Sequence, residues 1–241
     1  MRNKKILGLI PSRLGSSRLP QKPLLNINNL PMVIQTYKRA KKSKKLSDLA
    51  ICCDDKKILS VAKKYNAKCL LTSTNHKNGT ERIAEAYHKI NKKFELIVDI
   101  QGDEPFISPK QIDEVINFHL KNLNYDIILP VIKIKNINKP SLVKVITNKK
   151  REVLYLTRAQ APHEYKNKIP FIKKHLSIIS FKPEALKKFA SSKQTPLEKV
   201  EDIELLRALE IGLSIKTVEV KGDSFSIDVM EDYLKAINSK I

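Results

Sequence analysis

The chain has 241 residues, 41% of them hydrophobic and 29% charged, a make-up that excludes a disordered protein and suffices for one large domain or a domain carrying an inserted lobe. No stretch approaches the roughly 20 apolar residues of a membrane span. The apolar run behind Met1-Arg2-Asn3-Lys4-Lys5 stops at Pro11, short of the roughly 7–15 residues of a secretory core, so a cytoplasmic protein is expected.

The run Ile6–Ile10 reads as a strand and delivers the chain into Pro11-Ser12-Arg13-Leu14-Gly15-Ser16-Ser17-Arg18-Leu19-Pro20-Gln21-Lys22-Pro23. Arg13, Arg18 and Lys22 thus sit in a loop rich in Ser and Pro, with a helix expected over about Met32–Lys42 behind it. A strand, a cationic loop and a helix form an arrangement for holding a polyanion at the carboxyl end of a parallel sheet, and the arginine fork suits phosphate. Strands at Leu49–Cys53, Ala67–Leu71 and Leu96–Ile100 alternate with helices at Lys56–Tyr65 and Thr80–Asn91, the signature of βαβ units. Cys52 and Cys53, adjacent in a strand, should point to opposite faces. With Cys69 in another strand and no C-x-x-C, these read as buried thiols.

Two polar segments follow strands. His76-Lys77-Asn78-Gly79-Thr80-Glu81-Arg82 is on one reading a helix start capped by Asn78 or Thr80. On the other it offers donors to a base or ribose, with Arg82 one turn in. Gln101-Gly102-Asp103-Glu104-Pro105 puts acids at a strand's carboxyl end, where an α/β fold places ligands and where Mg²⁺ bridges protein to phosphates; the plain alternative is a polar turn. Ser108-Pro109-Lys110-Gln111 is a capping box opening a helix to about Lys121.

After Tyr125 the pattern changes. Ile127–Ile134, Val143–Thr147, Val153–Leu156 and Ile172–Phe181 are strand-like without helices between them, which predicts an antiparallel or mixed lobe. Thr195-Pro196-Leu197-Glu198 is a second capping box. It is expected to open one helix with Leu197, Val200, Ile203, Leu206 and Leu209 along one stripe, ending near Gly212. Ser214–Val220 returns as a strand, and a last helix is expected after Asp228, with Asp228 as N-cap and Glu231 three residues on.

A formal net charge of +21 makes a non-catalytic nucleic-acid-binding protein the rival from another class. The excess is mostly lysine in scattered pairs such as Lys63-Lys64 and Lys187-Lys188, with few aromatics interleaved. A solvated basic surface that steers anionic substrates is the reading taken, with nucleic acid not expected as a partner. Neither G-x-G-x-x-G nor G-x-x-x-x-G-K-[ST] occurs. Loop cations with strand-end acids suit nucleotidyl transfer, in which a metal and cations hold a triphosphate while an outside hydroxyl attacks the α-phosphorus. A polyanion binder has no use for Asp103 and Glu104. A different nucleotidyltransferase or a sugar-phosphate glycosyltransferase remains an alternative.

At these residues the chain resembles the 3-deoxy-manno-octulosonate (KDO) cytidylyltransferases, the CMP-KDO synthetases. The matching motifs, in order, are IPSRLGSSRLPQKPL, HKNGTER, DIQGDEP, KPSLVKVI, TRAQAP, KKHLSI, PLEKVEDIELLRAL and SIDVMEDYL. The resemblance implies an α/β fold of nucleotide-diphospho-sugar transferase type: a Rossmann-like mixed, mainly parallel sheet flanked by helices. It implies a single nucleotidyltransferase domain over residues 1–241, with a smaller antiparallel lobe over about 131–210 for sugar binding and dimerisation. It also implies Mg²⁺, a homodimer, and the conversion of CTP and KDO into CMP-KDO and pyrophosphate for lipopolysaccharide or another surface polysaccharide. Carried over by motif, Arg13, Lys22 and Asp103 are catalytic. Arg13, Arg18 and Lys22 bind the CTP phosphates, and Asn78, Gly79, Arg82 and Gln101 line the cytidine. Asp103 and Asp228 hold Mg²⁺, while Arg158, His175, Glu198, Glu201 and Arg207 serve the sugar, although Glu198 could equally be only the capping partner of Thr195. Departures from the family pattern cluster on the sugar side, the mild exception being Asn78, which stands for a Ser on the nucleotide side. Leu205 stands for a Gln, Ile179 and Phe181 stand for Tyr, Lys174 for Arg and His163 for Trp; a related acid such as 8-amino KDO is therefore the alternative acceptor.

Overall fold

A computed structural model describes residues 4–16, 18–135, 139–223 and 225–238; Ser17 of the cationic loop lies outside them. The chain divides into two compact units, residues 1–113 with 224–241, and residues 114–223. In the first, β1 (Ile6–Ser12) is buried at every position, as a central parallel strand must be. A short hairpin, β2 (Asn26–Ile27) and β3 (Leu30–Pro31), leads into α1 (Met32–Ala40). Then come β4 (Asp48–Cys53), α2 (Lys56–Lys64), β5 (Cys69–Leu71), α3 (Gly79–Ile90), β6 (Leu96–Ile100) and the first turn of α4 (Pro109–Lys121), the rest of which belongs to the second unit. β1 pairs in parallel with β4 on one side and β6 on the other, and β4 pairs in parallel with β5. The chain winds outward from β1 to β5 and then crosses to β6 on the opposite side. The carboxyl ends of β1 and β6 therefore flank a topological switch point, where such sheets bind ligands.

The helices of this unit start on the caps their sequence supplies. Asp55 accepts a hydrogen bond from Lys57 N (2.6 Å) at the head of α2, and Asn78 accepts one from Glu81 N (2.9 Å) at the head of α3, so Asn78 rather than Thr80 is the cap. Cys52 and Cys53 are buried as expected, and Cys53 Sγ lies 3.3 Å from Cys69 Sγ, a meeting of two strands that sequence separation hides.

In the second unit, β7 (Ile127–Ile134) is central. Next in the chain are β8 (Lys144–Thr147), β9 (Val153–Thr157), β10 (Ile172–His175), β11 (Ile178–Phe181), α5 (Pro183–Ser191), α6 (Pro196–Glu201), α7 (Leu205–Glu210) and β12 (Ile215–Glu219). Ile127 pairs with Ile215 of β12 in parallel on one edge and with Phe181 of β11 antiparallel on the other. β10 runs antiparallel to both β7 and β8, and β8 antiparallel to β9. This is the mixed, largely antiparallel lobe that the closely spaced strands predicted.

Three expectations change. The single strand over Ile172–Phe181 is broken at Leu176-Ser177, opposite Pro130, whose carbonyl accepts from Leu176 N (3.1 Å). Pro130 has no N–H to return, so an unbroken ladder cannot form there. The single helix from Pro196 to Gly212 is two: Asp202 adopts φ 52°, and Val200 is 82% exposed rather than on a buried stripe. The break is held by Arg158, whose Nε and Nη2 donate to the carbonyls of Glu201 (2.8 Å) and Asp202 (3.1 Å), a cation at a helix carboxyl end. Finally α8 (Met230–Ile237), back in the first unit, starts one residue later than expected. The Asp232 carboxylate accepts from Asp228 N (3.0 Å) and Val229 N (3.2 Å), so the Asp228 side chain is not the cap. Helix α5 was not anticipated, although Pro183 at its first turn with Glu184 beside it is a usable signal.

A buried histidine makes this core acid-sensitive. His119 Nδ1 lies 2.8 Å from Ser180 Oγ and Nε2 3.2 Å from the Tyr125 carbonyl, a neutral ring donating from Nε2 and accepting at Nδ1. Burial pushes its pKa down to about 4. Below the unfolded value of about 6.5 the unfolded chain takes a proton that the folded one refuses, so this contribution is complete above about pH 6.5 and is lost as pH falls toward 4. Urea midpoints measured from pH 7 to pH 4.5 should fall in the wild type and fall less steeply in His119→Gln; parallel slopes would remove His119 as the source.

Candidate active site

The site in the first unit forms where the loops after β1 and β6 meet the segment before α8. Gly102 is required there: a Cβ on it would lie 2.6 Å from the Pro11 carbonyl oxygen. That approach lets Asp103 sit close behind β6, and Ile227 N donates to the Asp103 carbonyl (3.0 Å), fastening the segment that carries Asp228. The cationic loop is pinned by Leu19, which is buried with Ile27, Met32 and Ile227. Gln21 at φ 52° then turns the chain into a single 3-10 turn, Lys22–Leu24, which aims Lys22 inward.

Lys22 Nζ donates to Asp103 Oδ2 (2.7 Å) and to Asp228 Oδ1 (3.1 Å), its side chain only 15% exposed. Burial disfavours the ammonium, but Asp103 and then Asp228 outweigh it and hold the Lys22 pKa above its ordinary value. Burial likewise opposes the charge on Asp228, and Lys22 with Arg18 more than offsets it, holding the carboxyl below the usual carboxylate range. Arg18 reaches Asp228 at 3.4 Å from a largely exposed position, and Arg13 is exposed.

These two carboxylates fit Mg²⁺. They converge on one cation from loops 125 residues apart (228 − 103), and both are hard oxygen donors. Mg²⁺ held by two carboxylates would complete its shell with phosphate oxygens and water.

Around the start of α3, a Cβ at Gly79 would lie 3.2 Å from Gln101 Nε2 and from Pro11 Cγ, so the helix begins close against both neighbours. Gln101 Nε2 donates to Asp99 Oδ2 (2.8 Å). Arg82 is buried: Nη1 donates to Thr72 Oγ1 (2.7 Å) and the Ser73 carbonyl (3.1 Å), and Nη2 to Asp54 Oδ2 (3.2 Å). Its guanidinium thus braces the segment preceding Asn78. Glu85 braces the same segment, accepting from Ser73 N (2.9 Å) and bonding His76 Nε2, while Glu81 accepts from Lys77 N (2.9 Å). Burial opposes the Glu85 charge, but Lys89, the Ser73 amide and His76 bring its pKa to about 2. Sequence reasoning missed Asp54 and Glu85. Asp54 carried a signal, since it follows the carboxyl end of β4 as Asp103 nearly follows that of β6.

The sugar-side candidates lie in the second unit. Glu198 and Arg207 are buried together and paired fork to fork, Nε to Oε2 at 2.7 Å and Nη2 to Oε1 at 2.6 Å, with the guanidinium over Phe189. Glu198 also accepts from Thr195 N (3.3 Å), completing the capping box. Glu201 accepts from Thr157 Oγ1 (2.6 Å) and Arg158 N (2.8 Å). Arg158 further donates to the Pro140 carbonyl (3.2 Å). Four of the five are thus joined to one another or to backbone. His175, half-buried at the end of β10, has its pKa pushed down to about 4 by burial, so its ring is neutral at physiological pH. Of the departures on this side, Ile179, Phe181 and Leu205 are core residues at 2%, 0% and 1% exposure, whereas Lys174 is half-buried and His163 exposed.

A family model described as cytidylyltransferase matches residues 7–216. The 3-deoxy-manno-octulosonate cytidylyltransferase of Chloroherpeton thalassium is 35% identical over 96% of each chain, and that of Rickettsia typhi 37% identical over 98% of each. The solved structure of a CMP:2-keto-3-deoxy-manno-octonic acid synthetase, complexed with CTP, superposes with a TM-score of 0.91 at 28% identity over 97% of each chain. The 4-diphosphocytidyl-2C-methyl-D-erythritol synthase of Anaerococcus prevotii, at 15% identity and a TM-score of 0.65, shares the fold.

Proposed function

This chain belongs to the cytidylyltransferase family, its full-length relatives being 3-deoxy-manno-octulosonate cytidylyltransferases, and on that premise we propose that it transfers CMP from CTP to KDO. The observation that carries the reading is the convergence of Lys22, Asp103 and Asp228 at the switch point of a parallel sheet. Arg13 and Lys22, with Arg18 near them, bind the triphosphate. Asn78, Gly79 and Gln101 line the cytidine, and Arg82 holds that wall in place from beneath. Asp103 and Asp228 would hold Mg²⁺, which when bound neutralises phosphate charge and favours ionisation of the attacking hydroxyl.

In the transfer, the anomeric 2-hydroxyl oxygen of the sugar bonds to the α-phosphorus as the bond from that phosphorus to the departing pyrophosphate oxygen breaks; the hydroxyl proton is released. Lys22 and Arg13 offset the charge that builds on the leaving group. His175, a neutral ring, is assigned to the sugar acid, and Arg158, Glu201, Glu198 and Arg207 keep the backbone of the second unit in place. KDO rather than 8-amino KDO is the acceptor proposed, because the full-length relatives are KDO cytidylyltransferases and Ile179, Phe181 and Leu205 pack in the core.

The smaller lobe is assigned to sugar binding and dimerisation, and the enzyme to the cytoplasm, supplying lipopolysaccharide or another surface polysaccharide. No helix among the described residues is long and apolar enough to cross a membrane. The high positive charge speeds arrival of two anionic substrates. Pyrophosphate release with CTP, Mg²⁺ and KDO, beside 8-amino KDO and UTP, tests the reading. Release with CTP and KDO is expected. Release with 8-amino KDO alone would move the acceptor, and silence with every sugar from folded protein that binds CTP would reject it.

A further inference from the structure

We propose that Asp54 is a positioning residue that ties the phosphate-binding loop to the cytidine side of the pocket, a proposal that rests on the cytidylyltransferase reading. Asp54 immediately follows β4 and divides its carboxylate between the two rims. Oδ1 accepts from Leu14 N (2.9 Å), the amide next to Arg13, and Oδ2 accepts from Arg82 Nη2 (3.2 Å). The Asp54 and Arg82 side chains are 13% and 4% exposed, so solvent screens the pair little.

The loop needs that tie. Arg13 and Gly15 are exposed, and a Cβ built on Gly15 would meet nothing within 4 Å, so packing does not hold the loop there. Without the Leu14 amide bond, the segment bearing Arg13 would have to be ordered when the triphosphate arrives, and that entropy would be subtracted from affinity. On the other rim Arg82 carries the constraint onward. Its bonds to Thr72 Oγ1 and the Ser73 carbonyl fix the approach to Asn78, and Thr72 Oγ1 donates in turn to the Cys53 carbonyl (2.9 Å), the residue before Asp54. The circuit closes on itself within one unit of the fold. Asparagine cannot substitute, because an amide serving Leu14 N with its oxygen would present N–H groups to the N–H groups of Arg82.

The role is distinct from that of a structural ion pair. An ordered phosphate loop matters to a nucleotide in proportion to its phosphates, so Asp54→Asn should weaken CTP binding by about tenfold or more while changing cytidine binding less than about threefold. Calorimetry with CTP and with cytidine on folded protein reads that ratio. Equal losses for both ligands, or no loss for CTP, would overturn the proposal. A second measurement needs no variant: in the ligand-free wild type, hydrogen exchange should find the Leu14 amide protected and the Gly15 amide fast. Equal rates at the two would overturn it as well, whether or not Asp54→Asn folds. A wild type that bound no CTP at all would instead refute the nucleotide reading on which the proposal stands, an outcome that selective loss in the variant cannot imitate.

Discussion

Asp103→Asn is expected to lose roughly 10³-fold in turnover, about 4 kcal/mol of transition-state stabilisation, with a melting temperature close to that of the wild type. The asymmetry follows from where the residue sits. Asp103 is half-buried and bonded to Lys22, which keeps Asp228 as a second partner at 3.1 Å when Asp103 loses its charge. The ammonium is therefore not stranded, and the fold loses little. The chemistry loses more. A single carboxylate would hold the metal expected here, and Lys22, no longer shared, would move toward Asp228 and away from the triphosphate. Pyrophosphate release at saturating CTP and KDO measures the first quantity and thermal unfolding the second. Turnover within tenfold of wild type would remove Asp103 from the metal set. A large fall in both would make it a structural residue.

The parts of this molecule that were legible in the sequence share one property: their causes are local. The strand Ile6–Ile10 followed by three cations, the acid after Leu96–Ile100, and the helix starts after Ser108 and Thr195 can each be read within about a dozen residues. The meeting of the loop after β1 with the acid after β6 could be expected for the same reason, since a parallel sheet brings the ends of its strands together whatever lies between them. What escaped depends on partners far along the chain. Asp202 ends a helix because Arg158, 44 residues upstream, takes its carbonyl, and nothing near Asp202 announces this. Ile172–Phe181 is interrupted because it lies against Pro130. Arg82 was expected as a cytidine contact from its place in the motif, and its bonds to Asp54, Thr72 and Ser73, up to 28 residues away in the chain, were not legible there. Glu198 illustrates the limit differently. Two roles were compatible with its spacing, and the choice between them rests on Arg207 nine residues away, beyond a helix break that the sequence did not display.

That last pair supports a sharp separation of stability from sugar recognition. Glu198 and Arg207 are 4% and 1% exposed, joined by two charge-assisted hydrogen bonds, with Arg207 lying 4.3 Å over the Phe189 ring and donating to the Ser192 carbonyl. Glu198→Ala leaves a guanidinium buried without its counter-charge, a change that costs about 3–5 kcal/mol. At about 2–4 °C per kcal/mol for a chain of this size, the melting temperature should drop on the order of 10 °C. The double replacement Glu198→Met with Arg207→Met removes both charges and refills the space with apolar atoms, and should recover most of the loss, since buried ion pairs are often no more stabilising than such packing. Below its melting temperature Glu198→Ala should keep a KM for KDO within about threefold of wild type, because its carboxylate faces Arg207 and the Thr195 amide rather than the sugar. A KM raised more than tenfold at an unshifted melting temperature would return Glu198 to the sugar pocket. The double variant would then be the more informative of the two, since stable protein that had lost only sugar affinity would identify the pair as recognition elements rather than as the brace that holds α6 against α7.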